Sequence, residues 1–220
     1  MAAITVDGDL LIRGSLIVLG DKITFPASAV LSGPTDFFGR EMIAKDSLAV
    51  HHIPFSDMRV HDDFSSTLPG VANGNDMAIT DSNWAGSGLS LIMISSLADS
   101  SVETDYAAFL FAVPSNYVAG GSATLRIRAK LSSWPSESSY IDADIFKWNM
   151  DGTIGSNLVS GDTQIPQTSV TDHDFHINSS NLKRGDVLAC RIKSALDDSG
   201  GASASTLSIY SVKMLLDVKG

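Results

Sequence analysis

The chain has 220 residues, 44% of them hydrophobic and only 18% charged, with a formal net charge of −10. That apolar content at that length supports one large domain with a small appendage, and the negative balance argues against nonspecific attraction to nucleic acid or an anionic membrane. The one cysteine, Cys190, excludes an intrachain disulfide and a cysteine zinc cluster.

Residues 4–21 carry a six-residue repeat: Ile4 to Asp9, Leu10 to Ser15, Leu16 to Asp21. Even positions from Ile4 to Val18 are aliphatic or glycine, the period-two pattern of an extended chain with one buried face. Gly-Asp or Gly-Ser closes each unit with a turn or bulge. Three such units cannot bury a core alone, so the stripe Ile4, Val6, Leu10, Ile12, Leu16 and Val18 needs a partner. Identical stripes meeting around a threefold axis satisfy it; an edge hairpin folded onto the main domain is the alternative. No basic stretch precedes a long apolar run, so neither a secretory leader nor a membrane span is expected.

Residues 26–47 read as a linker broken by Pro26, Gly33, Pro34 and Gly39. Phe37 and Phe38 form an apolar spot in it, available to anchor on a partner or to tuck against the main domain. Gly39 to Lys45 reads as a short helical turn. The main domain is placed at 48–220, after an N-terminal region of 1–47.

Strand signals then follow in order: Ala49–Pro54, Met58–His61, Asp76–Thr80, Leu89–Ser95, Tyr106–Val113, Ala123–Leu131, Tyr140–Trp148, His173–Asn178, Val187–Ala195 and Thr206–Val218. Two are clean alternators. Ala123, Leu125, Ile127, Ala129 and Leu131 point inward while Thr124, Arg126, Arg128 and Lys130 point outward. Ile141, Ala143 and Ile145 point inward while Asp142 and Asp144 point outward. Turn signals such as Asn73-Gly74, Asp151-Gly152 and Arg184-Gly185 separate the runs, and helical connectors are missing. Seven to ten strands at this spacing predict an all-β protein, a short hexapeptide-like β segment followed by a jelly-roll β-sandwich.

Laid out this way, the chain resembles phage capsid decoration (cement) and head-fibre proteins. The N-terminal Ile4–Val18 segment is similar to the short repeats that begin trimeric virion proteins. The strands Tyr106–Pro114, Ala123–Leu131, Asp172–Ser179 and Gly185–Ile192, with the ending Ser211–Gly220, follow the order of jelly-roll head domains. The resemblance covers most of the chain by pattern, without an active-site signature. It implies a homotrimer synthesised in a host cytoplasm and bound to the outer surface of the virion. The major capsid protein would be its partner, with Ile4, Val6, Leu10, Ile12, Leu16, Val18, Phe37 and Phe38 at the subunit or capsid interface. The family supplies no catalytic residues and no cofactor.

The residues themselves offer little chemistry. His51 and His52 face opposite sides of a strand, and His173 and His176 diverge, so neither pair makes a metal site. His61-Asp62-Asp63 lies within a short reach of the first pair in sequence, and no metal is expected. Asp142 and Asp144 sit about 7 Å apart by strand rise, a spacing open to glycoside hydrolysis, yet any solvated strand face shows it. Asn149 to Thr153 reads as a hairpin turn rather than a calcium loop. The basic face Arg126, Arg128 and Lys130 pairs with a neighbouring acidic strand or docks on an acidic shell. Cys190 reads as a small buried hydrophobe. Trp84, Trp134, Trp148, Tyr117 and Tyr140, near strand ends, suit either sugar stacking or core packing. The leading expectation is a virion structural protein that is not an enzyme; a receptor- or glycan-binding fibre domain is the alternative, and a polysaccharide-cleaving enzyme the third.

Overall fold

In the computed structural model the described residues are 34–37, 40–43, 47–81, 91–98, 101–134, 139–149, 151–159, 161, 163–198 and 204–219. The chain divides into two compact units, Met1–Ala44 and Lys45–Gly220. In the first, β1 (Pro34–Phe37) pairs antiparallel with β2 (Arg40–Ile43), Phe37 opposite Arg40. The helical turn expected over 39–45 is therefore corrected: Arg40 to Ile43 form a strand, because pairing with β1 satisfies their backbone groups where an isolated helical turn would satisfy few. The repeat stripe Ile4, Val6, Leu10, Ile12, Leu16 and Val18, and Phe38, lie outside the described residues. Phe37 ends β1.

The second unit is a jelly-roll-like β-sandwich of two antiparallel sheets. The six-stranded sheet contains β3 (Ser47–Ile53), β4 (Ala78–Asp81), β5 (Leu91–Ile94), β7 (Ala123–Leu131), β10 (Thr171–His176) and β12 (Leu207–Val218). Its order is β10-β7-β12-β5-β4, with β3 also on β12. One strand can carry both neighbours because it is long: β12 meets β5 at Ser208 and Ile209 and β3 from Val212 to Val218. The four-stranded sheet runs β6 (Val102–Ala112), β11 (Val187–Asp197), β8 (Tyr140–Trp148), β9 (Ile154–Asn157).

Side-chain alternation builds the core. Leu125, Ile127, Phe175 and Met214 from one sheet meet Phe109, Leu188, Ile192, Ile141 and Ile145 from the other, all fully buried. Closely packed apolar contact between two inner faces is what holds such a sandwich. The inward and outward assignments on β7 and β8 hold residue by residue. Arg126 lies opposite Asp174 and Arg128 opposite Asp172, so the basic face takes the cross-strand pairing reading. Arg126 is bidentate on Asp174, with Nε to Oδ1 at 2.7 Å and Nη2 to Oδ2 at 2.6 Å.

Two local readings change. Met58–His61 is not a strand; Arg59 alone bridges, to Thr67 and to Ala108. Strand β9 carried no sequence signal because it is only four residues long, Ile154 to Asn157, with Gly155 inside it. It exists because a hairpin delivers it to β8. Asn149 N–H donates to the Thr153 carbonyl (2.9 Å), Asp151 Oδ1 accepts from Thr153 N–H (2.9 Å), and Gly152 takes φ 82°, the left-handed conformation that favours glycine. Cys190 is buried, and that burial pushes its thiol pKa up, away from nucleophile chemistry.

Candidate functional site: a groove on the four-stranded sheet

The core-facing side of the four-stranded sheet is used up, so its chemistry lies on the outer side. There the strands place Tyr106, Ala108 and Leu110 of β6 beside Ala189, Arg191 and Lys193 of β11. Next come Tyr140, Asp142, Asp144, Phe146 and Trp148 of β8. Small side chains lie in the middle: Ala108 is opposite Arg191, and Ala189 is opposite both Leu110 and Phe146. Bulky groups stand on either side. The result is a groove of about 310 Å³ with Ala108 and Ala189 in its floor; Phe146, Trp148 and Ile154 form one wall, and His61 and Phe64 line it from the connection after β3. Trp148 is 43% exposed and Ile154 61%, so this wall presents ring and aliphatic surface to solvent.

Polar groups enter the groove already ordered. Arg191 donates from Nε (2.9 Å) and Nη2 (2.5 Å) to Asp144 Oδ2. Asp144 Oδ1 accepts from Asn157 Nδ2 at 2.8 Å, and Asn157 Oδ1 accepts from the backbone of Ile145 and Val159. Among the described residues no hydrogen bond takes Arg191 Nη1, and the guanidinium lies over the Tyr106 ring at 5.1 Å. Further along the face Lys193 Nζ donates to the Tyr140 hydroxyl (2.8 Å). That contact holds the Lys193 pKa above the ordinary lysine value. Arg191, Asp144 and Asn157 thus form a fixed polar rail beside an aromatic wall. An apolar concavity with a few oriented polar groups is the usual form of a small-molecule site.

Asp142 and Asp144 do share the outer face. Both oxygens of Asp144 are taken by Arg191 and Asn157, and Asp142 Oδ1 accepts from the Ala143 N–H. Of the five aromatics, Trp148 is in the groove and Tyr140 on the same face, Tyr117 is fully buried, Trp134 is exposed, and Trp84 lies outside the described residues. His173 is buried and His176 exposed, so they diverge as expected. His51 has its Nε2 shut from solvent and its ring edge-on to Phe111, away from His52.

Sequence reading missed Phe64, Phe146 and Arg191. Phe146 and Arg191 were readable as outward positions of β8 and β11, but only the pairing of those strands places them together. Phe64 lies in an irregular connection with no periodicity to read.

No protein-family model matches the chain, and no curated protein matches it. Among solved structures it is similar to a carbohydrate-binding module from the β-sandwich superfamily, at 10% identity and a TM-score of 0.39 over 76% of this chain and 56% of that one. It is also similar to the CBM22-1 xylan-binding domain of Xyn10C from Paenibacillus barcinonensis, at 9% identity and a TM-score of 0.41, covering 80% and 97%. A CBM4 structure aligns at 11% identity and a TM-score of 0.34, covering 67% and 91%. At such scores the likeness carries no functional weight, and the chain spans little more than half of the first of these structures. What the second unit does has to be read from its own groove.

Proposed function

We propose that the β-sandwich of residues 45–220 is a glycan-binding domain and that the groove on the four-stranded sheet is its binding face. The observation that carries this is the juxtaposition of the exposed Trp148 ring, beside Phe146 and Ile154, with the Arg191–Asp144–Asn157 rail. A pyranose ring offers an apolar C–H face and an equatorial belt of hydroxyls. The wall suits the first and the rail the second. Arg191 is matched by Asp144, and Lys193 stands opposite Asp142, so the face favours an uncharged glycan over a uronate. Binding without cleavage is the proposed activity.

The virion reading rests on the repeat of residues 4–21, which lies outside the described residues, and on the strand order of the C-terminal half, which a glycan-binding sandwich fits equally. The direct test is a glycan array and affinity electrophoresis on soluble polysaccharides, with emptied phage capsids as the competing partner. Trp148→Ala is expected to weaken glycan retention roughly tenfold, about 1.4 kcal/mol, with an unchanged unfolding midpoint. No retained glycan, or retention indifferent to Trp148→Ala, refutes the assignment; capsid binding without glycan binding returns the protein to the virion reading.

A further inference from the structure

Beside the groove lies a cluster that the glycan reading does not use. His61, Asp62 and Asp76 bring one ligand atom each to within 4.8 Å of one another. The cluster differs from the contiguous His61-Asp62-Asp63 run. Asp63 is turned away, its two oxygens accepting from the hydroxyls of Ser65 and Ser66 at 2.6 Å each. Asp76 takes its place from thirteen residues further along.

The backbone holds this arrangement. Tyr106 N–H donates to the Asn75 carbonyl (2.8 Å) and Met77 N–H to the Tyr106 carbonyl (3.0 Å), which clips residues 75–77 along β6. The loop carrying His61 is fixed by Arg59, which exchanges backbone bonds with Ala108 at 2.8 and 3.0 Å. The His61 ring lies against Tyr106 with centroids 4.3 Å apart. Both sides of the cluster are thus anchored to the same strand.

Two polar atoms in it lack a hydrogen bond and have only each other, as an ion pair when the imidazole is protonated. His61 Nδ1 and Asp76 Oδ1 are both shut off from solvent and make no hydrogen bond. They face each other at 3.6 Å, on side chains that are only 12% and 21% exposed. That separation is too long for a hydrogen bond. Two ligands each about 2.1 Å from a shared ion stand about 3.4 Å apart at the tetrahedral angle, a few tenths of an ångström less than this separation. A divalent ion between the two atoms would satisfy both.

We infer that His61 Nδ1 and the carboxylates of Asp62 and Asp76 form a binding site for one divalent transition-metal ion of the zinc class. The donor set selects the class: an imidazole nitrogen favours zinc-like ions, whereas calcium and magnesium sites are built from oxygen. Asp62 is exposed, so the ion enters from solvent and this carboxylate closes over it. Asn75, whose Nδ2 is placed 3.4 Å from His61 Nε2, is the outer partner that orients the ring once its amide is turned over. With its side-chain oxygen toward Nε2–H it leaves Nδ1 as the ligand, and the two amide orientations are equivalent in shape. The ion would sit at the rim of the groove that His61 lines, tying the two ends of the 61–76 connection to each other. The inference stands without the glycan assignment, and its test uses no glycan.

The experiment takes the full chain, freed of metal with a chelator. It is titrated with zinc by calorimetry and with cobalt by visible absorption, and unfolding is followed with and without zinc. One equivalent of zinc per chain, a cobalt ligand-field band and a raised unfolding midpoint are expected. His61→Gln and Asp76→Asn should each weaken binding by roughly a hundredfold or more. His176→Gln, on an exposed histidine of the other sheet, should change nothing. Unfolding in chelator shows whether each variant keeps its fold, and Asp76→Asn serves if His61→Gln does not. A native chain that takes up no zinc overturns the inference. So does uptake that survives both substitutions or is lost in His176→Gln.

Discussion

His173 shows how far one residue's surroundings reach. It points into the sandwich from β10, 4% exposed, with Nε2 3.2 Å from the Thr171 hydroxyl. Burial pushes its pKa below the ordinary value of 6.5, and the flanking Asp172 and Asp174 only partly oppose this. The folded chain therefore holds fewer protons than the unfolded one just below that value. Its contribution to stability is complete above about pH 6.5 and falls as pH drops from there toward the lowered folded pKa. Urea unfolding measured between pH 7.5 and 5 should show this decline, and His173→Leu should flatten it; an equal slope in the variant would assign the decline to other groups.

Among the elements, the connection from β6 to β7 shows what fastens the ends of the sandwich. Tyr117 is fully buried and its hydroxyl donates to the Gly121 carbonyl at 2.7 Å. Its own carbonyl accepts from Arg184 Nε at 2.7 Å. Val118 N–H donates to the Asp217 carbonyl (2.9 Å), and Asp217 Oδ2 accepts from Ser122 N–H (2.7 Å), tying the connection to the end of β12. A Cβ on Gly121 would stand 2.9 Å from both Asp217 Cβ and the Val118 carbonyl oxygen, so only glycine lets the two segments approach. Tyr117→Phe should cost about 1 kcal/mol, the net worth of one hydrogen bond, by chemical denaturation. Gly121→Ala should cost more, because backbone on both sides has to move.

On the scale of the whole molecule, the second unit owns its core. Among the residues whose side chains are described, the buried cluster runs from Met58 to Val218 and spans both sheets. A chain that starts at Lys45 should fold, with an unfolding midpoint within about 2 °C of the full chain, and should show the proposed glycan and metal binding to the same extent as the full chain. Light scattering on the two chains side by side then isolates what residues 1–44 add: a full chain that is trimeric beside a monomeric truncated one would make the repeat an assembly device. A markedly lower midpoint for the shorter chain would show that the two units share stability.

The alternation of Ala123 to Leu131 and of Tyr140 to Trp148 was enough, by itself, to determine strands, their buried faces and an all-β class, because a period of two leaves one arrangement that hides one side. The same logic placed Cys190 in the core, and the turn at Asn149 to Thr153 was legible in its Asp-Gly pair. Strand partners were not legible, since alternation says which face is inward and nothing about which strand lies alongside. Only the tertiary structure decided that β11 runs between β6 and β8. That placement turns Arg191 and Asp144 from two surface charges into one rail and stands Trp148 beside it. Only the tertiary structure replaced Asp63 with Asp76 opposite His61, because backbone pairing with β6 carries Asp76 there while local hydroxyls hold Asp63 away. Local pattern encodes what each segment buries; a site made from four distant segments depends on their pairing, which is a property of the whole chain.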